Sequence, residues 1–226
     1  MQTSSLAILH DNAAHGEDSY LTRDLGNGNF LDVVLDGVTG HGGDEASGSV
    51  ADALNRISIS GPGDIVAVLE EQNADFHQVG GGRFLLTTAS AALYLDGKLH
   101  LVSVGDSPIY VIRPARYEQY SGRMGGLIRL GISKAVGAES TLSVFQTELD
   151  LSADDRLVCC TDGVSDNLLG DELMEIVRGS SNAEEASERA KALVDQHIEQ
   201  GRDIRFRGGR FRHDDETAIF RFFESA

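Results

Sequence analysis

The chain has 226 residues, of which 41% are apolar and 24% charged, and its formal net charge is −17. That length suits one large domain or two small ones, and the composition is that of a soluble globular protein. The acidity argues against a general nucleic-acid binder, which needs a basic face. No apolar run approaches the roughly 20 residues that span a bilayer, and no basic segment followed by an apolar stretch marks a signal peptide.

In chain order, residues 30–36 (FLDVVLD) read as a strand that ends in Asp36-Gly37. The period then changes: Ala46, Val50, Ala53, Leu54 and Ile57 form one apolar stripe at helical spacing. Gly61-Pro62-Gly63 breaks the chain, and Asp64 is placed to cap a second helix carrying Ile65, Val68, Leu69 and Phe76. Residues 84–112 read as a β-meander, with Asp96-Gly97 as a hairpin signal and Gly105-Asp106 as the next turn before PIYVI. Residues 141–149 and 156–161 predict two more strands. A helix is predicted over 183–200, opened by a capping box of Ser181 and Glu184, and a last strand over 216–223. Strands arrive in runs with helices grouped between them. That predicts an α+β fold with antiparallel sheets, in a single domain over 1–226.

Five acidic pieces recur along this frame: GEDSY at 16–20, VVLDGVTGHGGDEAS at 33–47, LVSVGDS at 101–107, LVCCTDGVSD at 157–166 and RHDDETAIF at 212–220. In four of them a predicted strand adjoins one or more carboxylates. Strand ends that meet can aim oxygen ligands into one pocket, a donor set suited to hard divalent cations. Adjacent Cys159 and Cys160 cannot build a disulfide framework, so a reducing cytosol is expected. Cysteine-based phosphatase chemistry needs an arginine six residues after the nucleophile, and those positions are Ser165 and Asp166. No Walker loop is present, since Gly97-Lys98 lacks the following Ser or Thr.

The order of these motifs over residues 5–223 resembles the metal-dependent protein phosphatases, the type 2C serine/threonine family, and especially its compact bacterial members. The resemblance implies a four-layer α/β/β/α sandwich of two antiparallel sheets with a centre of two, or three, Mn2+ or Mg2+ ions between them. It implies that Asp36 bridges two metals, that Gly37 offers its carbonyl, and that Asp162 and Asp214 hold the second ion. Asp215, adjacent to Asp214, is the alternative register. Glu17 and Asp18 would act largely through metal-bound water, and Asp106 and Asp166 match a weaker third site. Asp36, Asp162 and Asp18 would carry the catalysis.

Three departures accompany the resemblance. The arginine that grips phosphate in many relatives is Ala13 here, and a histidine that some carry after the second-motif Asp-Gly is Val38. His41 matches another histidine, more often structural. Only residues 114–134 separate Arg113 from Ala135-Val136-Gly137, so the flap should be reduced or absent. The block RDIRFRGGRFR at 202–212 offers a compensation, with Arg212 or Arg210 as the phosphate contact. The expected activity is hydrolysis of phosphoserine and phosphothreonine in a protein substrate, opposing a serine/threonine kinase, by a cytoplasmic monomer with neither nucleic-acid nor membrane partner. The alternatives are a non-catalytic regulatory member of the fold and a small-molecule phosphomonoesterase.

Overall fold

The computed structural model describes residues 2–120, 135–199 and 213–224. The elements are β1 (Gln2–Asp11), β2 (Ser19–Gly26), β3 (Asn29–Leu35), α1 (Gly43–Arg56), α2 (Pro62–Gly80), β4 (Ala89–Leu95), β5 (Lys98–Val104), β6 (Ile109–Ile112), β7 (Tyr117–Tyr120), β8 (Phe145–Leu149), β9 (Arg156–Cys160), α3 (Asp162–Ser165), α4 (Gly170–Arg178), α5 (Ala183–Glu199) and β10 (Glu216–Glu224). The strands make two five-stranded antiparallel sheets, ordered β1-β10-β9-β6-β7 and β2-β3-β4-β5-β8.

Three apolar layers account for the stacking. Leu31, Val33 and Leu35 of β3 face α1 and α2, where the stripe Ala46, Val50 and Leu54 meets them with Ile65 and Leu69. Val158, Phe220 and Phe222 face α4 and α5, meeting Leu173, Val177, Ala186 and Ala190. Between the sheets lie Phe30, Val34, Leu99, Leu101, Ile109, Leu157, Cys159 and Ile219. The result is helices, sheet, sheet, helices, as expected from the motif order. Because each sheet is covered on both faces, its central strands read as nearly unbroken apolar runs. For the same reason both Cys159 and Cys160 are buried, one in the middle layer and one under the helices.

One ion pair crosses the middle layer. Arg221 of β10 grips Asp32 of β3 with Nε and Nη2 at 2.6 and 2.7 Å, and its guanidinium lies 4.0 Å over the Phe30 ring. Both side chains are buried.

Several local expectations are corrected. The stretch 84–112 is not one meander: β4 and β5 pair, but β6 crosses to the other sheet and pairs with β7 and β9. A residue-by-residue alternation cannot reveal that crossing, because both sheets bury both faces. Pro62 opens α2 instead of breaking the chain, and Asp64 caps from inside the first turn by accepting from the Ser60 and Gly61 amides. Proline suits the first helical position because its missing N–H would have no partner there. At α5 the cap is shifted by one: Asn182 accepts from the Glu185 amide, and Glu185 reaches back to Ser181. Residues 121–134, where a reduced or absent flap is expected, and the arginine block 202–212, with Arg210 and Arg212, lie outside the described residues.

Candidate metal centre

Antiparallel pairing decides which motifs can meet. Strands β3 and β5 both pair with β4 and so run parallel to each other. Their C-terminal ends carry Asp36 and Asp106 to one end of the sheet, and β2, antiparallel to β3, starts there just after Asp18. In the other sheet β9 ends just before Thr161-Asp162, and its antiparallel neighbour β10 begins just after Asp214-Asp215. The two ends are joined directly: Thr161 Oγ1–H donates to Asp18 Oδ2 at 2.8 Å.

The glycines of the two Asp-Gly motifs are not turn formers, since neither Gly37 nor Gly163 has positive φ. Each marks a close backbone approach. A Cβ on Gly37 would lie 2.4 Å from the Glu17 carbonyl oxygen and 2.5 Å from Gly43, at the start of α1. A Cβ on Gly163 would lie 2.0 Å from the Asp215 carbonyl oxygen. Each glycine therefore lets the segment of another motif come within contact of its own aspartate. Asp36 is itself pinned on both sides: its amide donates to Thr88 Oγ1, and its carbonyl accepts from the Thr88 amide and from Thr87 Oγ1–H.

The electrostatics follow from this convergence. Burial pushes the Asp36 carboxyl well above the usual carboxylate range, and Asp162, Asp18, Asp106 and Asp214 push it further. Asp18 is pushed up to about 8, chiefly by burial, with Asp215 and Asp162 adding to it and hydrogen bonds from Thr161 and Thr217 opposing. Glu17 Oε2 is buried with no hydrogen-bond partner among the described residues. Asp166 caps α3 one turn beyond Asp162, where its amide donates to the Asp162 carbonyl at 2.7 Å. Its charge acts on Tyr110.

Asp214 and Asp215 have separate tasks. Asp215 Oδ1 accepts from the amides of Ala14 and His15 at 3.1 and 2.8 Å, and Oδ2 accepts from Glu17 at 2.7 Å. Burial raises its carboxyl, but these amides and that of Gly16 outweigh burial and hold it below the usual range. Its oxygens are thus committed to shaping the loop that carries Glu17 and Asp18. Asp214 instead faces the cluster, where it acts on Asp36, and its Oδ1 lies 3.0 Å from His15 Nδ1. His41 Nδ1–H donates to the Arg83 carbonyl at 2.6 Å, which ties two loops together.

This donor set fits hard cations. Buried Asp18 and half-buried Asp36, each raised by neighbouring carboxylates and set beside an orphaned carboxylate oxygen, call for compensating positive charge. All-oxygen donors favour magnesium or manganese. Among the described residues no group of three or more His, Cys, Asp or Glu side chains is close enough together to hold a metal ion as placed.

The family model described as stage II sporulation protein E (SpoIIE) matches residues 27–220. The chain belongs to the SpoIIE family. This is a type 2C-like phosphatase family, and the solved structures similar to the chain agree in fold. Serine/threonine phosphatase Stp1 from Staphylococcus aureus superposes with a TM-score of 0.81 at 20% identity, covering 100% of this chain and 97% of that one. PppA, described as a key regulatory component of T6SS in Pseudomonas aeruginosa, gives 0.77 at 22% identity, covering 98% and 99%. The catalytic domain of the serine/threonine phosphatase PstP, solved with two manganese ions, gives 0.74 at 22% identity, covering 97% and 98%. No curated protein matches the chain in sequence.

Within this SpoIIE-family site, sequence reasoning missed the roles of His15, Thr161, Thr88 and Asp215. Thr161 precedes Asp162 directly, yet nothing in CTDG shows that its hydroxyl holds Asp18. His15 stands beside Ala13 in the first motif and supplies the nearest imidazole to the carboxylates.

Proposed function

We propose that the chain is a metal-dependent phosphoprotein phosphatase that hydrolyses phosphoserine and phosphothreonine esters. The observation that carries this is Asp36, half-buried at the end of β3, on which four further aspartates drawn from the other motifs act together. Five carboxylates gathered at one place, one of them buried and the others half-buried, are best explained by a resident cation centre. Asp36, the Gly37 carbonyl, Asp162 and Asp214 would hold two Mn2+ or Mg2+ ions, with Glu17 and Asp18 acting through ordered water. Asp106 and Asp166 would serve a weaker third site. When bound, such a pair lowers the pKa of a shared water and clamps phosphate oxygens.

The protein's own groups position that chemistry. Thr161 fixes Asp18, Thr87 and Thr88 fix the Asp36 backbone, and Asp215 fixes the loop of Glu17. Cys159 and Cys160 are buried, and burial pushes both thiols up, so neither supplies a thiolate nucleophile. Arg212, or Arg210, remains our assignment for the substrate phosphate. The natural setting would be a cytoplasmic switch opposed by a serine/threonine kinase. Among the described residues no helix is long and apolar enough to cross a membrane.

The test is hydrolysis of p-nitrophenyl phosphate and of a phosphoserine peptide, in chelator and after adding manganese or magnesium. Activity should vanish in chelator, return with either ion, and fall by several orders of magnitude in Asp162→Asn. Full turnover by protein shown to be metal-free would sink the two-metal reading.

A further inference from the structure

We propose that Val79, Arg83 and Phe84, around the loop from α2 to β4, form a docking surface for the substrate polypeptide beside its phosphorylated residue. The surface takes one apolar side chain and one carboxylate. The proposal rests on the phosphatase reading above and adds to it the class of sequence that the substrate presents.

Val79 and Phe84 are the two most exposed large apolar side chains among the described residues, at 74% and 47%. Single exposed hydrophobics are ordinary. Here two of them flank an exposed arginine that forms no ion pair among the described residues. That is notable in a chain with 36 acidic side chains and a net charge of −17.

The loop that displays them is held on every side. His41 Nδ1–H donates to the Arg83 carbonyl, the Leu86 amide donates to the His41 carbonyl at 3.3 Å, and the Val38 amide donates to the Leu86 carbonyl at 2.9 Å. The Phe84 ring lies over Gly42, where a Cβ would come within 2.9 Å of it. On the far side a Cβ on Gly82 would meet the Ala138 carbonyl oxygen at 2.5 Å, and one on Gly137 would meet that of Leu85 at 2.3 Å.

Leu85 supplies the reason the exposed groups face outward. It is buried, yet it adopts φ 57°, a left-handed conformation that costs a bulky residue energy. Turning Leu85 into the core in this way leaves Phe84 and Arg83 on the outside. A strained, clamped backbone that keeps a phenyl ring in water is a feature of a binding surface, and its rigidity lowers the ordering cost of binding.

Position identifies the occupant. Residues 38–42, to which this loop is bonded, follow directly on Asp36-Gly37 of the metal centre. The surface is therefore bonded to the segment that leaves the metal centre, and an extended peptide advances only ~3.3 Å per residue. Side chains a few residues from the phosphorylated one would fall on it. Arg83 selects a carboxylate there, and Val79 with Phe84 selects an aliphatic or aromatic side chain.

The test uses the full chain loaded with manganese and three substrates. These are p-nitrophenyl phosphate, a phosphoserine peptide flanked by leucine and glutamate, and the same peptide with both replaced by glycine. Val79→Ser, Arg83→Glu and Phe84→Ser should each lower kcat/KM for the first peptide by roughly three- to tenfold, mainly through KM. Each should leave the aryl phosphate within about twofold, as expected for groups that do not touch the reacting centre. Val79→Ser guards against misfolding, since that side chain is largely in water. Equal losses on all three substrates, or no loss on the first peptide, would overturn the proposal. So would a concentration-dependent dimer abolished by Phe84→Ser, because the patch would then face a second copy. If the unmodified protein hydrolyses none of the substrates, the phosphatase reading itself fails. Fluorescence anisotropy with a peptide carrying a phosphonate in place of the phosphate then decides docking alone: binding weakened by the three variants supports it, and no binding overturns it.

Discussion

Asp214 and Asp215 are chemically identical neighbours with opposite surroundings. Asp215 answers the amides of Ala14, His15 and Glu17, whereas Asp214 adds its charge to Asp36. Removing the Asp215 carboxylate leaves several amides without an acceptor, at a cost of about 1–3 kcal/mol for each buried group left unsatisfied. Asp215→Ala should therefore lower the melting temperature of the metal-free protein and loosen the loop carrying Glu17. Asp214→Ala should leave that temperature unchanged or raised, because it removes repulsion, while weakening manganese binding in a calorimetric titration. If the two effects were exchanged, the ligand would be Asp215. The sequence makes Asp36 and Asp162 legible, since each stands at the end of an apolar run before glycine. It leaves the two aspartates of the last motif open, because their difference lies in amides some 200 positions away in the chain. The purpose of Gly37 and Gly163 is hidden in the same way, since a close approach has no local signature.

At the level of elements, the pair Asp32–Arg221 is a buried polar contact between the two sheets. It joins β3 to β10 through the middle layer, with Thr3 of β1 as a third partner at 2.9 Å from Arg221 Nη1. Burial raises the Asp32 carboxyl and the guanidinium pulls it back. Taking away one partner leaves the other charge buried and alone, so Asp32→Ala should destabilise by about 3–5 kcal/mol. A double replacement, Asp32→Leu with Arg221→Met, should recover most of that in urea unfolding, because well-packed apolar residues often match a buried pair. A double variant as unstable as the single one would mean that the pair contributes more than its own compensation. Nothing in FLDVVL or IFRFF reveals this contact: a lone charge inside an apolar strand reads as a sheet edge, and its partner is distant in the chain. Strands β1, β2 and β7 and helices α3 and α4 also escaped the sequence reading. β1 and β7 are edge strands, and the unsupported edges are the more polar ones. The long helices and β3, β4, β5, β9 and β10 were legible, since their patterns are strongly periodic or continuously apolar.

For the whole molecule, the acidic cleft sets how stability responds to pH and to metal. The acids whose carboxyls are held low, Asp11, Asp64, Asp215, Glu118 and Glu185, stabilise the fold above their unfolded values and lose that only as pH falls below about 4. Asp18 has the opposite sign. With its folded value near 8 against 3.8 unfolded, it holds a proton in the folded state that the unfolded chain has released. Between those values this contribution falls as pH rises, and Asp36, raised by burial and by Asp162, Asp18, Asp106 and Asp214, adds to the slope, as does Glu216, which burial pushes up to about 7. Metal-free protein should accordingly melt at a higher temperature near pH 5 than near pH 8. Manganese should reverse the trend, because it binds the deprotonated carboxylates and its stabilisation grows with pH. At a hundredfold excess over its dissociation constant a single site adds about 2.7 kcal/mol. Sodium chloride at matched ionic strength is the control that separates the cleft from the net charge of −17. It screens exposed carboxylates but reaches buried ones poorly, so it should give only a small, pH-independent rise. Thermal melts at the two pH values, with chelator, manganese or sodium chloride, read all of these effects. A metal-free protein that is most stable near pH 8, or a salt effect equal to that of manganese, would mean that the carboxylates lie apart in solution and form no common cation site.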